Sequence, residues 1–142
     1  MKPHILIFLL ILILLSACSG EDPQIVLSSP EAFAFTLEEG WELNATVIAM
    51  GFQQNEDDND NYNASLSFTI DLVTPSDSLS RIDSGEMDES QEEEPLTDIM
   101  IESQIELNSN FPTGDYKIIF YVTDNLSQTK DTAHVNFKLT SE

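Results

Sequence analysis

The sequence predicts an all-β chain, an antiparallel β-sandwich of about seven strands. Three observations predict it. Apolar residues alternate with polar ones through segment after segment, turn residues separate those segments, and no stretch past residue 24 carries the longer period of a helix. Successive side chains of a strand point to opposite faces, so each segment offers one apolar stripe to a core.

Residues 25–27 form a first apolar run, and residues 32–37 (AFAFTL) a second. Gly40 turns the chain into WELNATVIAM, where Trp41, Leu43, Ala45, Val47 and Ala49 share one face. In ASLSFTIDLV, Leu66, Phe68, Ile70 and Leu72 stand opposite Ser65, Ser67, Thr69 and Asp71. TDIMIESQIEL carries the alternation through Ile99, Ile101, Ile105 and Leu107. DYKIIFYVT continues it with Tyr116, Ile118, Phe120 and Val122, and DTAHVNFKL closes with Ala133, Val135, Phe137 and Leu139. The sandwich is thus expected over residues 25–140. Two polar gaps interrupt it. Residues 53–63 are short and acidic. Residues 74–97 (TPSDSLSRIDSGEMDESQEEEPLT) are predicted to be a mobile acidic loop between the two halves, because their charge opposes packing.

The amino terminus reads differently. Met1-Lys2-Pro3-His4 is a short positive head, followed by eleven unbroken apolar residues, 5–15. A spanning helix needs about 20 such residues, whereas a secretory leader needs roughly 7–15. Leu15-Ser16-Ala17-Cys18 resembles the bacterial lipoprotein lipobox, in which leucine and two small residues precede a cysteine that accepts a diacylglyceryl group. The resemblance implies a cleaved signal peptide over residues 1–17 and a lipidated tether over 18–24. Cys18, the single cysteine of the chain, would be the attachment point. Ser19 after it resembles the default outer-membrane address, facing either the periplasm or the cell surface. With Cys18 acylated no disulfide is available, so the fold must rest on its core.

Removing residues 1–17 from 142 leaves 125 residues with four Lys and Arg against 26 Asp and Glu, a net charge of −22. Such a field repels nucleic acid and anionic head groups and attracts cations or a basic partner surface.

Phe111-Pro112-Thr113-Gly114-Asp115-Tyr116, followed by Val122-Thr123-Asp124-Asn125, resembles the end of bacterial immunoglobulin-like domains of the polycystic-kidney and cadherin-like kind. The resemblance covers residues 99–139 and implies an immunoglobulin-like sandwich. It also implies a tyrosine corner, in which the Tyr116 hydroxyl ties the preceding loop to its strand. The cysteine pair that links the sheets in some relatives is absent.

Three stretches bear on chemistry. Asp57, Asp58, Asn59, Asp60 and Asn61 resemble the calcium linker of cadherins, and close-set Asp and Asn oxygens suit Ca²⁺. A solvated hairpin turn is the other reading of the same residues. The twelfth position from Asp57 is Phe68 where an EF-hand needs Glu, so that motif fails. Residues 86–94 (EMDESQEEE) read either as a solvating charge run or as a basic-partner site. Asp77-Ser78-Leu79 and Asp131-Thr132-Ala133 match a glycosylation triplet that such a composition also yields by chance. His134, the single histidine left after processing, falls on a polar strand face. Neither a Ser-His-Asp triad nor a zinc set can be assembled around it. The sequence therefore predicts a non-catalytic, lipid-anchored envelope module. It would bind the membrane through Cys18 and an envelope protein or glycan through its domain. A calcium-dependent adhesion or sensing domain is the alternative.

Overall fold

The computed structural model describes Gly20 and residues 22–141, so the predicted leader and Cys18 lie outside the described residues. Within them the alternation folds into eight strands and no helix. They are β1 (Val26–Leu37), β2 (Gly40–Met50), β3 (Asn55–Glu56), β4 (Asn61–Val73), β5 (Ser78–Glu92), β6 (Asp98–Leu107), β7 (Gly114–Asp124) and β8 (Lys130–Leu139). Seven of these are long; β3 is a two-residue strand.

Two antiparallel sheets result. One has the order β1-β2-β6. In the other, β4 pairs with β5 along one edge, with β3 at Tyr62 and Asn63 and with β7 from Leu66 to Val73, and β7 pairs with β8. The chain crosses between sheets after β2, β5 and β6, the connectivity of a Greek-key sandwich. The inner faces meet in one slab. Leu43, Val47, Leu66, Ile70, Leu72, Ile101, Ile118 and Phe120 have no exposed surface, and Val122 and Leu139 almost none. Each such side chain stabilises the fold by about 1.5–3 kcal/mol relative to exposure. The stripes read from the sequence are these residues, with Phe68, Ile105, Ala133 and Val135 half-buried at the margins.

Residues 74–97 correct the expectation of a mobile loop. Ser78–Glu92 is a strand of 15 residues, the longest in the domain, paired with β4 almost throughout. Charge did not prevent this because β5 is an edge strand, which has to bury only part of one face. Leu79, Ile82 and Met87 pack half-buried against the core, while Glu86, Asp88, Glu89 and Glu92 stay in water. A row of carboxylates on an open edge also hinders pairing with a second chain. The ladder shifts between Ile70 and Leu72, where Arg81 takes a left-handed φ of 53° and donates its N–H to Asp71 at 2.8 Å.

Polar side chains close both seams between the sheets. On one, the Leu27 N–H donates to Asp131 Oδ2 at 2.7 Å and the Ile25 N–H to Thr129 Oγ1 at 3.3 Å. On the other, the Ser103 hydroxyl donates to Asp83, and Gln54 makes a two-way clamp on Leu96. Its Nε2 donates to the Leu96 carbonyl at 2.9 Å, and its Oε1 accepts the Leu96 N–H at 2.8 Å. At the β1–β2 turn Gly40 has φ 113°, and a Cβ there would strike the Leu107 carbonyl oxygen. Only glycine suits that position.

Candidate functional site

The acidic stretch after β3 is a tight turn organised around one carboxylate. Asp57 Oδ1 accepts the N–H groups of Asn59 at 2.8 Å and Asn61 at 3.1 Å. The Asn61 amide reaches both Asp57 oxygens, at 3.1 and 2.9 Å. These hydrogen bonds, the Asn61 side chain first, hold the Asp57 carboxyl below the usual aspartate value. Asp60 takes φ 61°, which an Asp tolerates at a turn, and Asp58, Asn59 and Asp60 point into solvent. The five residues are therefore brought together, with the Asp57 oxygens engaged by the loop's own donors. Among the described residues no three His, Cys, Asp or Glu side chains are gathered so as to hold a metal ion.

A second aspartate, which the sequence marked only as the end of a motif, proves to be the buried one. Asp124 closes β7 with no exposed surface. Its Oδ2 accepts the Gln53 N–H at 2.7 Å and the Ser127 hydroxyl at 2.6 Å. Its Oδ1 accepts the N–H groups of Leu126 at 2.9 Å and Ser127 at 3.3 Å. Burial alone would raise this carboxyl, but the donors from Gln53, Ser127 and Leu126 outweigh it and hold the group below the ordinary aspartate value. Four donors hold this carboxylate in place and favour its ionised form. It ties the β2–β3 loop to the β7–β8 loop and is a structural group.

The tyrosine corner is present in geometry. The Tyr116 hydroxyl donates to the Pro112 carbonyl at 2.6 Å, and its ring packs on Phe137 at a centroid distance of 5.4 Å. Burial pushes its pKa up, so it remains a donor. His134 is exposed on β8, as its place in the alternation predicts. Asp131, within one glycosylation triplet, spends its Oδ2 on the β1 backbone.

Most of the exposed large apolar side chains among the described residues lie elsewhere, on the outer face of β1-β2-β6. Cross-strand register arranges it in rows. Val26, Met50 and Asp98 form one, then Ser28, Ile48 and Met100, then Glu31, Thr46 and Glu102, then Phe33, Asn44 and Gln104, then Phe35, Glu42 and Glu106. The exposed large apolar side chains among the described residues are Val26, Phe33, Phe35, Leu37, Met50, Met100 and Tyr121, and all but Tyr121 stand here. Phe35 is 56% exposed and meets Phe33 edge-to-face at 5.4 Å. Sequence reasoning missed this face. In AFAFTL both registers are apolar, so the alternation assigns no face; in the fold Ala32 and Ala34 pack inward. The exposed face carries Glu31, Glu42, Asp98, Glu102 and Glu106, while β1, β2 and β6 contain no Lys or Arg. Arg81, Lys117, Lys130 and Lys138 all belong to the other sheet.

No family model and no curated protein matches the chain. Among solved structures, one described as a protein from Archaeoglobus fulgidus superposes with a TM-score of 0.37 at 12% identity, covering 82% of this chain and 98% of that one. That likeness is too slight to bear on function.

Proposed function

We propose that the chain is a non-catalytic interaction module of the bacterial cell envelope, an immunoglobulin-like sandwich held to the outer membrane by lipid on Cys18. The observation that carries the interaction part is the outer face of β1-β2-β6, where six of the seven exposed large apolar side chains among the described residues collect on one sheet. They form two groups, Val26, Met50 and Met100 at one end and Phe33, Phe35 and Leu37 at the other, on either side of the row Glu31, Thr46 and Glu102, and apolar side chains clustered in water are the usual mark of an interaction surface. The non-catalytic part rests on the sequence, in which neither a catalytic triad nor a zinc set is evident around His134. The anchor rests on the leader and on Leu15-Ser16-Ala17-Cys18. Val26 opens β1 eight residues after Cys18, a tether whose reach is at most about 25–30 Å, so the domain would ride close to the bilayer.

Phase partitioning of the full chain made in a bacterial host tests the anchor. The wild-type protein is expected in the detergent phase and the Cys18→Ala variant in the aqueous phase. Equal partitioning of the two contradicts lipidation at Cys18.

A further inference from the structure

We infer that Phe33, Phe35 and Leu37, at the β1–β2 end of the exposed face, form the docking site for a protein segment carrying apolar side chains flanked by Lys or Arg. The inference rests on the reading of the chain as an interaction module and deepens it by naming the surface and the partner's chemistry. The three residues occupy alternate positions of one strand, all outward, at 48%, 56% and 42% exposure. The two rings meet edge-to-face at 5.4 Å and so present one joined aromatic surface to a partner. Paired aromatics of this kind are the anchors on which interfaces concentrate their affinity.

The surroundings select the occupant. Glu42 lies across the ladder from Phe35 and Glu106 across from Glu42, while Glu38 and Glu39 form the turn just past Leu37. No positive side chain stands anywhere on this sheet. A second copy docking by the same face would add only further carboxylates and no cation to neutralise them. An anionic membrane surface and a nucleic acid meet the same repulsion. A segment alternating apolar and basic residues satisfies both features at once: its apolar side chains cover the rings and its cations neutralise the fringe.

The test uses the full chain, isolated from a bacterial host in lipid nanodiscs, and the probe peptide Lys-Phe-Lys-Val-Lys-Phe-Lys with a fluorescent label. Binding is followed by anisotropy. Phe33→Ser with Phe35→Ser is expected to weaken binding by about tenfold or more, the loss typical of interface anchors. Glu42→Lys with Glu106→Lys should weaken it similarly. Glu86→Lys with Asp88→Lys, the same charge change placed on β5, should leave affinity within about twofold. Equal loss from both charge pairs would overturn the site and leave only attraction to the net charge. So would equal binding of Lys-Ser-Lys-Ser-Lys-Ser-Lys, or self-association through this face in sedimentation. The mass of the amino-terminal peptide from the same preparation reads lipidation independently. A failed anchor and a failed docking site therefore give different results.

Discussion

Phe120 and Phe35 are the same side chain in two regions of one sandwich, and they differ in everything that matters to stability. Phe120 lies on the inner face of β7 with no exposed surface, surrounded by stripes from both sheets. Phe35 lies on the outer face of β1, more than half in water, beside Glu42. The interior slab and the outer face of β1-β2-β6 both hold large apolar side chains, the second among carboxylates. One is covered by the chain itself; the other is left for something else to cover. The comparison teaches that apolar content does not identify the core. Register does, because one residue of slip moves a whole stripe from inside to outside.

The sharpest test of the contrast is truncation on each side. Phe120→Ala is expected to destabilise the domain by about 3–5 kcal/mol in urea unfolding, since it empties a close-packed site. The buried carboxylate comes next. Asp124→Ala removes an acceptor from four donors and should cost about 2–4 kcal/mol at neutral pH. The effect depends on pH. Because the folded state holds this carboxyl below its ordinary value, the stability it confers is complete above about pH 4 and is lost as pH falls through the depressed value. The stability gap between wild type and Asp124→Asn should therefore narrow on acidification below about pH 4; a gap that widens would reverse the sign. Tyr116→Phe should cost about 1 kcal/mol, through the orphaned Pro112 carbonyl and not through packing. On the exposed turn, Asp57→Ala should leave the unfolding midpoint close to wild type. Ca²⁺ titration of the two proteins then reads whether those oxygens have any partner beyond Asn59 and Asn61.

Much of the fold was legible because period-two alternation fixes both strand and face when one register is polar. β2, β4, β6 and β7 are such cases, and their stripes are the core. β5 was not legible, since edge strands tolerate a composition that resembles a solvated loop; GEMDESQE pairs through its backbone whatever its side chains carry. β1 was legible only as two apolar runs, 25–27 and 32–37, which fold as one strand, and its face was not legible because both registers of AFAFTL are apolar. In the fold Ala32 and Ala34 pack inward, on a strand that lies beside β8. Of the aspartates, the run 57–61 drew notice through its spacing, whereas Asp124 became visible only once folding brought Gln53 to it across 71 positions of chain.

Measuring thermal unfolding and probe-peptide affinity on one and the same variant, Phe33→Ser with Phe35→Ser, separates a surface kept for a partner from a misplaced piece of core. Residues that serve a partner should leave unfolding within about 1 kcal/mol of wild type while affinity falls about tenfold. Stability dropping by the several kcal/mol expected of a core truncation, with peptide affinity unchanged, would contradict the assignment of this face to binding.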